Sequence, residues 1–524
     1  MILKQCVDVG DLPQEGEFLK LFEWTDDDCG TVMDIKVIDD IVHFTGSKFY
    51  MRKEILCVLK NFKNIYQNEF DTGEMVNKQF ILMGSPGTGK SCILALLCFF
   101  IAIKEERPVV WFRQVFGGRG KLGGSITRLF YQGKYYQWKD EEGTKYRSLY
   151  DAMENIVLDT KACWYFLDGL NQKEILERKW SAKFTLLATS GQFDMKSEPG
   201  LFQQPCLLPY WKQVDLEDLA DKLKDPKESD VDNRYFVSGG SLREFLNVDA
   251  RTQVAMALKR IETSKDAENL LTSVGSGSDK QIDRIRTQGV EDSTNARHYV
   301  DPFRWTCCVS SKLVLQHLAA MMKPNFFEKL MGIARGMNDD RLEGVAFEGY
   351  FHTLVRHRRS VCVHYCKYDN VGRRTNNNWE NIMRQEMGSI DWKELSVVEC
   401  EGENREECVA MMESWAANPS EMDYWIPATS LCETIDAVAK WTLPGNQVRF
   451  CFLQLTKATT HKCNAAILWE LAQPFVNKQL PVCYITLIPD EDKRLEFRLS
   501  PVQITKKEVL DHIPLYVAHF EILD

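Results

Sequence analysis

The sequence lacks any apolar run long enough to span a bilayer. Its longest, Cys92 to Ile103, falls well short of the ~20 residues a membrane helix needs. The first residues, Met1-Ile2-Leu3-Lys4-Gln5-Cys6-Val7-Asp8, hold no apolar core of signal-peptide length, so a secretory leader is not expected. Paired cysteine spacing is also missing. The 17 cysteines are an odd, scattered set, which excludes a disulfide framework and points to reduced thiols in the cytoplasm or nucleus. Excess positive charge is absent. A net charge of −10 argues against a protein that coats nucleic acid non-specifically, while leaving room for a local basic cleft. No internal repeat or low-complexity tract is present, which excludes a repeat array.

What is present is an ordinary globular balance. The chain has 524 residues, 44% apolar and 27% charged, enough for two to four domains. Its most informative segment is Gly84-Ser85-Pro86-Gly87-Thr88-Gly89-Lys90-Ser91. An apolar strand, Phe80-Ile81-Leu82-Met83, leads in, and a helical run, Ile93-Leu94-Ala95-Leu96-Leu97, leads out. Glycines let backbone N–H groups fold around phosphate oxygens, and a helix N-terminus adds positive potential there. In such a loop Lys90 reaches the β- and γ-phosphates and Ser91 holds Mg²⁺. A nucleoside triphosphate, ATP or GTP, and Mg²⁺ are therefore the expected cofactors.

Further apolar runs at 109–112, 162–167, 184–189 and 206–208 alternate with helical stretches, the pattern of a parallel sheet with covered faces. The run Trp164-Tyr165-Phe166-Leu167 ends in Asp168, a carboxylate suited to the Mg²⁺ shell beside Ser91. The next residue is Gly169, so no adjacent base is present to activate water, and turnover is expected to be slow. Glu174 and Glu177 follow at positions the sequence does not fix. Thr189-Ser190 ends the fourth run, and Ser190 is a candidate γ-phosphate sensor if that strand lies between the loop strand and the Asp168 strand. Gly239-Gly240-Ser241-Leu242 forms a tight turn into a helix that delivers Arg243, a second candidate for γ-phosphate charge. Further on, Cys362, His364 and Cys366 share one face of a strand. No second ligand pair follows them in sequence, so they read as buried thiols rather than as a metal site.

The order of these pieces resembles one family. The loop is followed by Leu167-Asp168-Gly169, Ala188-Thr189-Ser190-Gly191, Pro209-Tyr210-Trp211 and Gly239-Gly240-Ser241-Leu242-Arg243-Glu244-Phe245. This looks like the NTPase module of Crinkler effectors of oomycetes and fungi and of retrotransposon hot spot proteins, over roughly residues 75–270. The Pro-Tyr-Trp and Gly-Gly-x-x-Arg-Glu-Phe pieces are the telling ones. The resemblance implies an α/β chain: a P-loop NTPase parallel sheet (AAA/STAND-like), then a degenerate PD-(D/E)XK restriction-endonuclease-like domain. For that second domain it implies Glu348 on a first helix, Asp436 as metal-binding carboxylate, and Gln454 and Lys457 on the next strand, with His461 nearby as a base. Metal-assisted phosphodiester hydrolysis needs carboxylate-held Mg²⁺ and a cation near the attacking water. Gln454 stands where an acid is usual and Thr456 where a lysine is usual, and on a strand Lys457 points away from Gln454. The basic run Arg356-His357-Arg358-Arg359 is suited to DNA phosphates or to a nuclear localisation signal. The Leu-Phe-Leu-Ala-Lys delivery motif is absent from residues 1–74, so the host nucleus is the expected site only if the chain is a secreted effector.

Domains are expected at 1–74 (header and linker helix), 75–271 (NTPase with helical extension), 272–294 (linker) and 295–524 (nuclease-like). The expected function is an ATP-binding switch or slow ATPase coupled to a metal-dependent DNA nuclease-like domain. The alternative is a nucleotide-gated scaffold with a dead nuclease fold. A small-molecule phosphotransferase is disfavoured by the second domain. No membrane partner is expected, and an oligomer is left open.

Overall fold

A computed structural model of the chain describes residues 2–43, 46–72, 77–115, 124–156, 163–170, 184–189, 201–223, 231–272, 282–368, 387–390, 397–432, 434–443, 447–489, 491–495, 497–502 and 512–523. It divides into two compact units, the first built from residues 1–228, 240–260 and 270–308, the second from 229–239, 261–269 and 309–524. Both are mixed α/β, each around one eight-stranded sheet.

In the first unit the strands lie in the order Asp8–Asp11, Lys134–Lys139, Gly124–Tyr131, Val109–Val115, Trp164–Asp168, Phe184–Ala188, Asn77–Met83, Leu201–Leu207. The last five run parallel. The others are added antiparallel at one edge, so the sheet is mixed rather than all parallel. The parallel strands are buried on both faces. Ile81, Leu82, Trp111, Phe166 and Leu186 are fully enclosed, which is why they read as continuous apolar runs. The antiparallel hairpin turns at Gln132-Gly133, both with positive φ, the geometry a two-residue hairpin loop demands. Its strands mix polar with apolar residues, including buried Thr127 and Arg128, and do not form such a run.

The helix Lys90–Ile103 is apolar on nearly every side and buried from Ile93 to Phe99. The helix Lys53–Thr72 turns Ile55, Val58, Leu59 and Phe62 inward. Phe62 packs edge-on against Phe80 and tilted against Trp164, at 5.3 and 5.7 Å between ring centres. Residues 1–72 thus belong to the first unit, as edge strand and packed helix. The unit also runs past the expected linker, because Thr287–Val290 pairs antiparallel with Trp305–Cys308. The helical extension expected at the end of the 75–271 region ends in three short helices, Leu242–Phe245, Ala250–Leu258 and Ser264–Thr272.

The second unit's sheet runs Met387–Ile390, Val361–Tyr368, Leu515–Ile522, Val482–Ile488, Gln447–Leu455, Ala437–Leu443, Tyr424–Pro427, Val397–Glu401. On one face the helix Asp340–Arg356 seats Phe347 and Phe351 against Phe520. It starts where Asp339 accepts a 2.9 Å hydrogen bond from the Leu342 N–H, the usual way to satisfy a free helix donor. On the other face the helix Ala465–Asn477 closes an aromatic core of Trp415, Phe450, Phe452 and Phe475. Among the described residues no helix is long and apolar enough to cross a membrane.

Candidate functional site

The glycine loop follows the end of the Asn77–Met83 strand and runs into the helix Lys90–Ile103. Three of its glycines, Gly84, Gly87 and Gly89, have positive φ of 150°, 82° and 103°. A side chain at Gly87 would stand 2.3 Å from Ser241 Oγ, so the loop is tight from outside as well as within. Lys90 Nζ donates to the carbonyls of Gly84 and Ser85, both at 2.8 Å, and so lies folded across the loop. Burial, and then the nearby charge of Arg243, lower its pKa to about 7. Ser85 Oγ is buried and makes no hydrogen bond.

Ser91 Oγ donates to Asp168 Oδ1 at 2.9 Å. Two oxygens side by side are the donors a hard divalent ion such as Mg²⁺ takes, so the pair fits the ion inferred from the loop. Asp168 reaches this place because Phe184–Ala188 is the single strand between its own strand and the loop strand. Arg113, the register partner of Asp168 on the next strand, puts Nε 3.4 Å from Asp168 Oδ2. Burial raises the Asp168 pKa, against the opposing pull of Arg113 and Ser91.

The turn after Gly240 packs directly on the loop. Ser241 Oγ donates to the Pro86 carbonyl at 3.2 Å, and Arg243 begins within van der Waals reach of Gly87. The Arg243 side chain is exposed. Gly240 in turn seats on Tyr210 and Trp211, where a side chain would clash at 2.4 Å, and its carbonyl accepts from the Trp211 N–H. Beneath the loop, buried Arg52 donates to the carbonyls of Thr88, Pro209 and Tyr210 and lies 4.6 Å over the Trp211 ring. Arg52 ties the loop to the Pro-Tyr-Trp segment. Thr189, at the tip of the inserted strand, bonds the Leu82 and Leu170 carbonyls. Ser190, Glu174 and Glu177 lie outside the described residues.

In the second unit Asp436 sits at the mouth of the strand Ala437–Leu443, where its N–H bonds the Leu453 carbonyl. Its Oδ2 accepts from Gln454 Nε2 at 2.6 Å and from the Leu455 N–H at 2.8 Å. Its Oδ1 accepts from Lys312 Nζ at 2.8 Å. The same ammonium is 2.5 Å from Glu348 Oε2. The structure thus brings Asp436, Gln454 and Glu348 together and adds Lys312, from the start of the helix Lys312–Leu318. Burial pulls the Lys312 pKa down, but the charges of Asp436 and Glu348 raise it above the usual lysine range. Asp436 falls below its ordinary value, because Lys312 and the Leu455 N–H outweigh burial. Glu348 is pushed up to about 8, by burial first and the charge of Asp436 second. Gln454 Oε1 is buried and makes no hydrogen bond.

Lys457 is not part of this cluster. Its Nζ bonds Glu343 Oε1 at 2.6 Å, an oxygen that Arg335 also approaches at 2.9 Å. The strand ends at Leu455, so no bulge turns Lys457 inward. His461 stands on Thr460–Asn464, which pairs with Arg498–Val502 apart from the large sheet. In the basic run, Arg356 donates to the Gln316 carbonyl and His357 Nε2 lies 2.7 Å from the Met322 carbonyl, while Arg358 and Arg359 are exposed. Sequence reasoning missed Arg52, Arg113 and Lys312. Each acts across at least 36 residues of chain, and no local pattern marks it.

Comparison of the sequence with protein-family models and with curated proteins finds no match.

Proposed function

We propose that the first unit binds a nucleoside triphosphate with Mg²⁺ and acts as a switch or slow ATPase. The observation that carries this reading is the Ser91–Asp168 hydrogen bond beside a glycine loop crossed by Lys90. Backbone N–H groups of residues 87–91 and the Lys90 ammonium would receive the phosphates. Ser91 and Asp168 would hold Mg²⁺, which when bound supplies positive charge to the β- and γ-phosphate oxygens. Arg243 would extend from its turn toward the γ-phosphate. Arg113 would orient Asp168 and offset its charge when no metal is present. With Gly169 after Asp168, no base adjoins the metal carboxylate, and slow turnover follows.

For the second unit we propose a nuclease-like site for phosphodiesters, with DNA as substrate. Asp436, Glu348 and the free Gln454 carbonyl are oxygen donors that fit a Mg²⁺ ion. Lys312 supplies the cation that Lys457 does not, next to both carboxylates. Its ammonium would sit by the attacking water and the scissile phosphate. One observation favours a second reading, a nucleotide-gated scaffold: both oxygens of Asp436 are already engaged by protein donors. A metal would have to displace Lys312 or share its place.

Cleavage of linear double-stranded DNA in Mg²⁺, with and without ATP, separates the two readings. Cleavage lost in Asp436→Ala and altered in Lys90→Ala supports an NTP-regulated nuclease. Intact DNA in every lane, with nucleotide binding retained, supports the scaffold.

A further inference from the structure

Two histidines from distant parts of the chain face each other on the second unit's sheet. His364, on Val361–Tyr368, is the register partner of His519, on Leu515–Ile522. Their rings stack at 4.7 Å between centres, with planes 6° apart. Two residues further along, on the same face, Cys362 stands opposite Glu521, and Glu521 Oε2 is 3.7 Å from His364 Nε2. One ligand atom each from His364, His519 and Glu521 falls within 4.8 Å of the other two. His519 is buried, Glu521 is exposed and His364 is intermediate, so the group is anchored at one end and reachable at the other. His364 Nε2 is itself buried and makes no hydrogen bond.

The sequence offered only half of this. The Cys362, His364, Cys366 face has no ligand pair following it along the chain. The pair arrives across the sheet, 155 residues after His364, because Leu515–Ile522 lies antiparallel beside that strand. Leu515 and Val517, on the same face, belong to the second unit's apolar core. His519 and Glu521 continue that face outward, where a metal can enter. None of the three takes part in the Asp436 cluster.

We propose that His364, His519 and Glu521 form a binding site for a divalent transition metal of the Zn²⁺ class. Two imidazoles and one carboxylate suit a borderline ion better than Mg²⁺ or Ca²⁺, which prefer all-oxygen sets. Three protein ligands leave a fourth position for water, the pattern of an open zinc site. The stacked rings would slide apart by a small side-chain rotation to aim both nitrogens at one ion.

The test uses the full-length protein and Co²⁺ as a spectroscopic probe, with Zn²⁺ in competition. The expected result is one Co²⁺ with visible d–d bands of a nitrogen and oxygen ligand set, displaced by Zn²⁺. Affinity should fall by more than about tenfold in His364→Ala and in Glu521→Gln, since even outer-shell partners of a metal site contribute that much. Glu521 is exposed, so Glu521→Gln keeps the fold if His364→Ala does not. Asp436→Ala should leave the bands unchanged, which separates this site from the nuclease-like one. No Co²⁺ bands, thiolate charge-transfer bands in their place, or unchanged affinity in folded Glu521→Gln and His364→Ala would overturn the proposal.

Discussion

Ser91 Oγ donates a 2.9 Å hydrogen bond to Asp168 Oδ1, a residue 77 positions later in the chain. Each is a common residue at a common place, a helix start and a strand end. Brought together they make an oxygen pair beside a glycine loop, the place proposed for a magnesium nucleotide. If the pair holds the metal, Asp168→Ala should weaken binding of Mg²⁺–ATP by about tenfold or more, the scale of one charge-assisted contact. Metal-free ATP should be affected far less. Titration with and without Mg²⁺ reads the difference. Equal losses in the two conditions would mean that Asp168 serves only to fasten the helix to the sheet.

Lys90 gives a pH dependence with a defined sign. Its pKa is lowered to about 7, chiefly by burial, whereas a triphosphate requires the charged ammonium. Below that value the lysine is already protonated and binding takes up no proton at this site. Above it, binding must recruit one proton. Affinity should therefore fall as pH rises, approaching about tenfold per pH unit well above the midpoint. Calorimetry at about pH 8 in buffers of different ionisation enthalpy should report uptake of nearly one proton. Constant affinity between about pH 7 and 9 would contradict the assignment.

The two lysines of the second unit should behave differently. Lys312→Met leaves Asp436 and Glu348 facing each other without a counter-charge. Removing one partner of a buried ion pair costs about 3–5 kcal/mol, and cleavage, where present, should be lost. The deficit should shrink on acidification. A buried carboxyl whose folded pKa lies above its unfolded one binds protons preferentially in the folded state, so stability rises as pH falls across that window. For Glu348 the window runs from its ordinary value of 4.5 up to about 8 even with Lys312 present. Lys457→Met, by contrast, loses its contact to Glu343 and should leave cleavage near wild type. Denaturant melts at two pH values, with cleavage rates, decide it. A Lys457→Met variant as inactive as Lys312→Met would reverse the assignment.

Gly87→Ala tests the packing of the loop. The position has φ of 82°, and an added Cβ would meet Ser241 Oγ at 2.3 Å. Strain in that backbone region costs about 1–3 kcal/mol. A lower melting temperature and weaker nucleotide binding are expected. Adding Ser241→Gly should recover the part due to the clash and not the part due to φ. A wild-type melt for Gly87→Ala would show that the turn carrying Arg243 does not press on the loop.

What the sequence disclosed and what it hid follow one physical division. The loop, its strand and its helix are contiguous, so glycine spacing and apolar runs mark them. Asp168 ends a strand buried on both faces, and four apolar residues before an acid are visible at once. Gly240 was legible as a turn, but not that it seats on Tyr210 and Trp211. The hairpin over 124–139 mixes Ser, Thr, Arg, Gln and Lys among its apolar residues, so no long apolar run announces it. Residues 8–11 join the sheet through backbone pairing, which side-chain patterns do not encode. Lys312 is the sharpest case. It lies 124 residues before Asp436, on a short helix, with nothing in its neighbours to distinguish it from a surface lysine. Lys457 is only three residues from Gln454 in sequence, yet it lies beyond the strand's end at Leu455 and its ammonium goes to Glu343 instead.

Isothermal titration of Mg²⁺–ATP into the full-length protein and its Lys90→Ala variant tests the central claim most directly. The account predicts one nucleotide bound per chain by the wild type. In the variant the affinity should fall by about a hundredfold, as expected for losing a charged donor to phosphate. A folded Lys90→Ala protein that binds as tightly as wild type, or a wild type that binds no nucleotide, would contradict it.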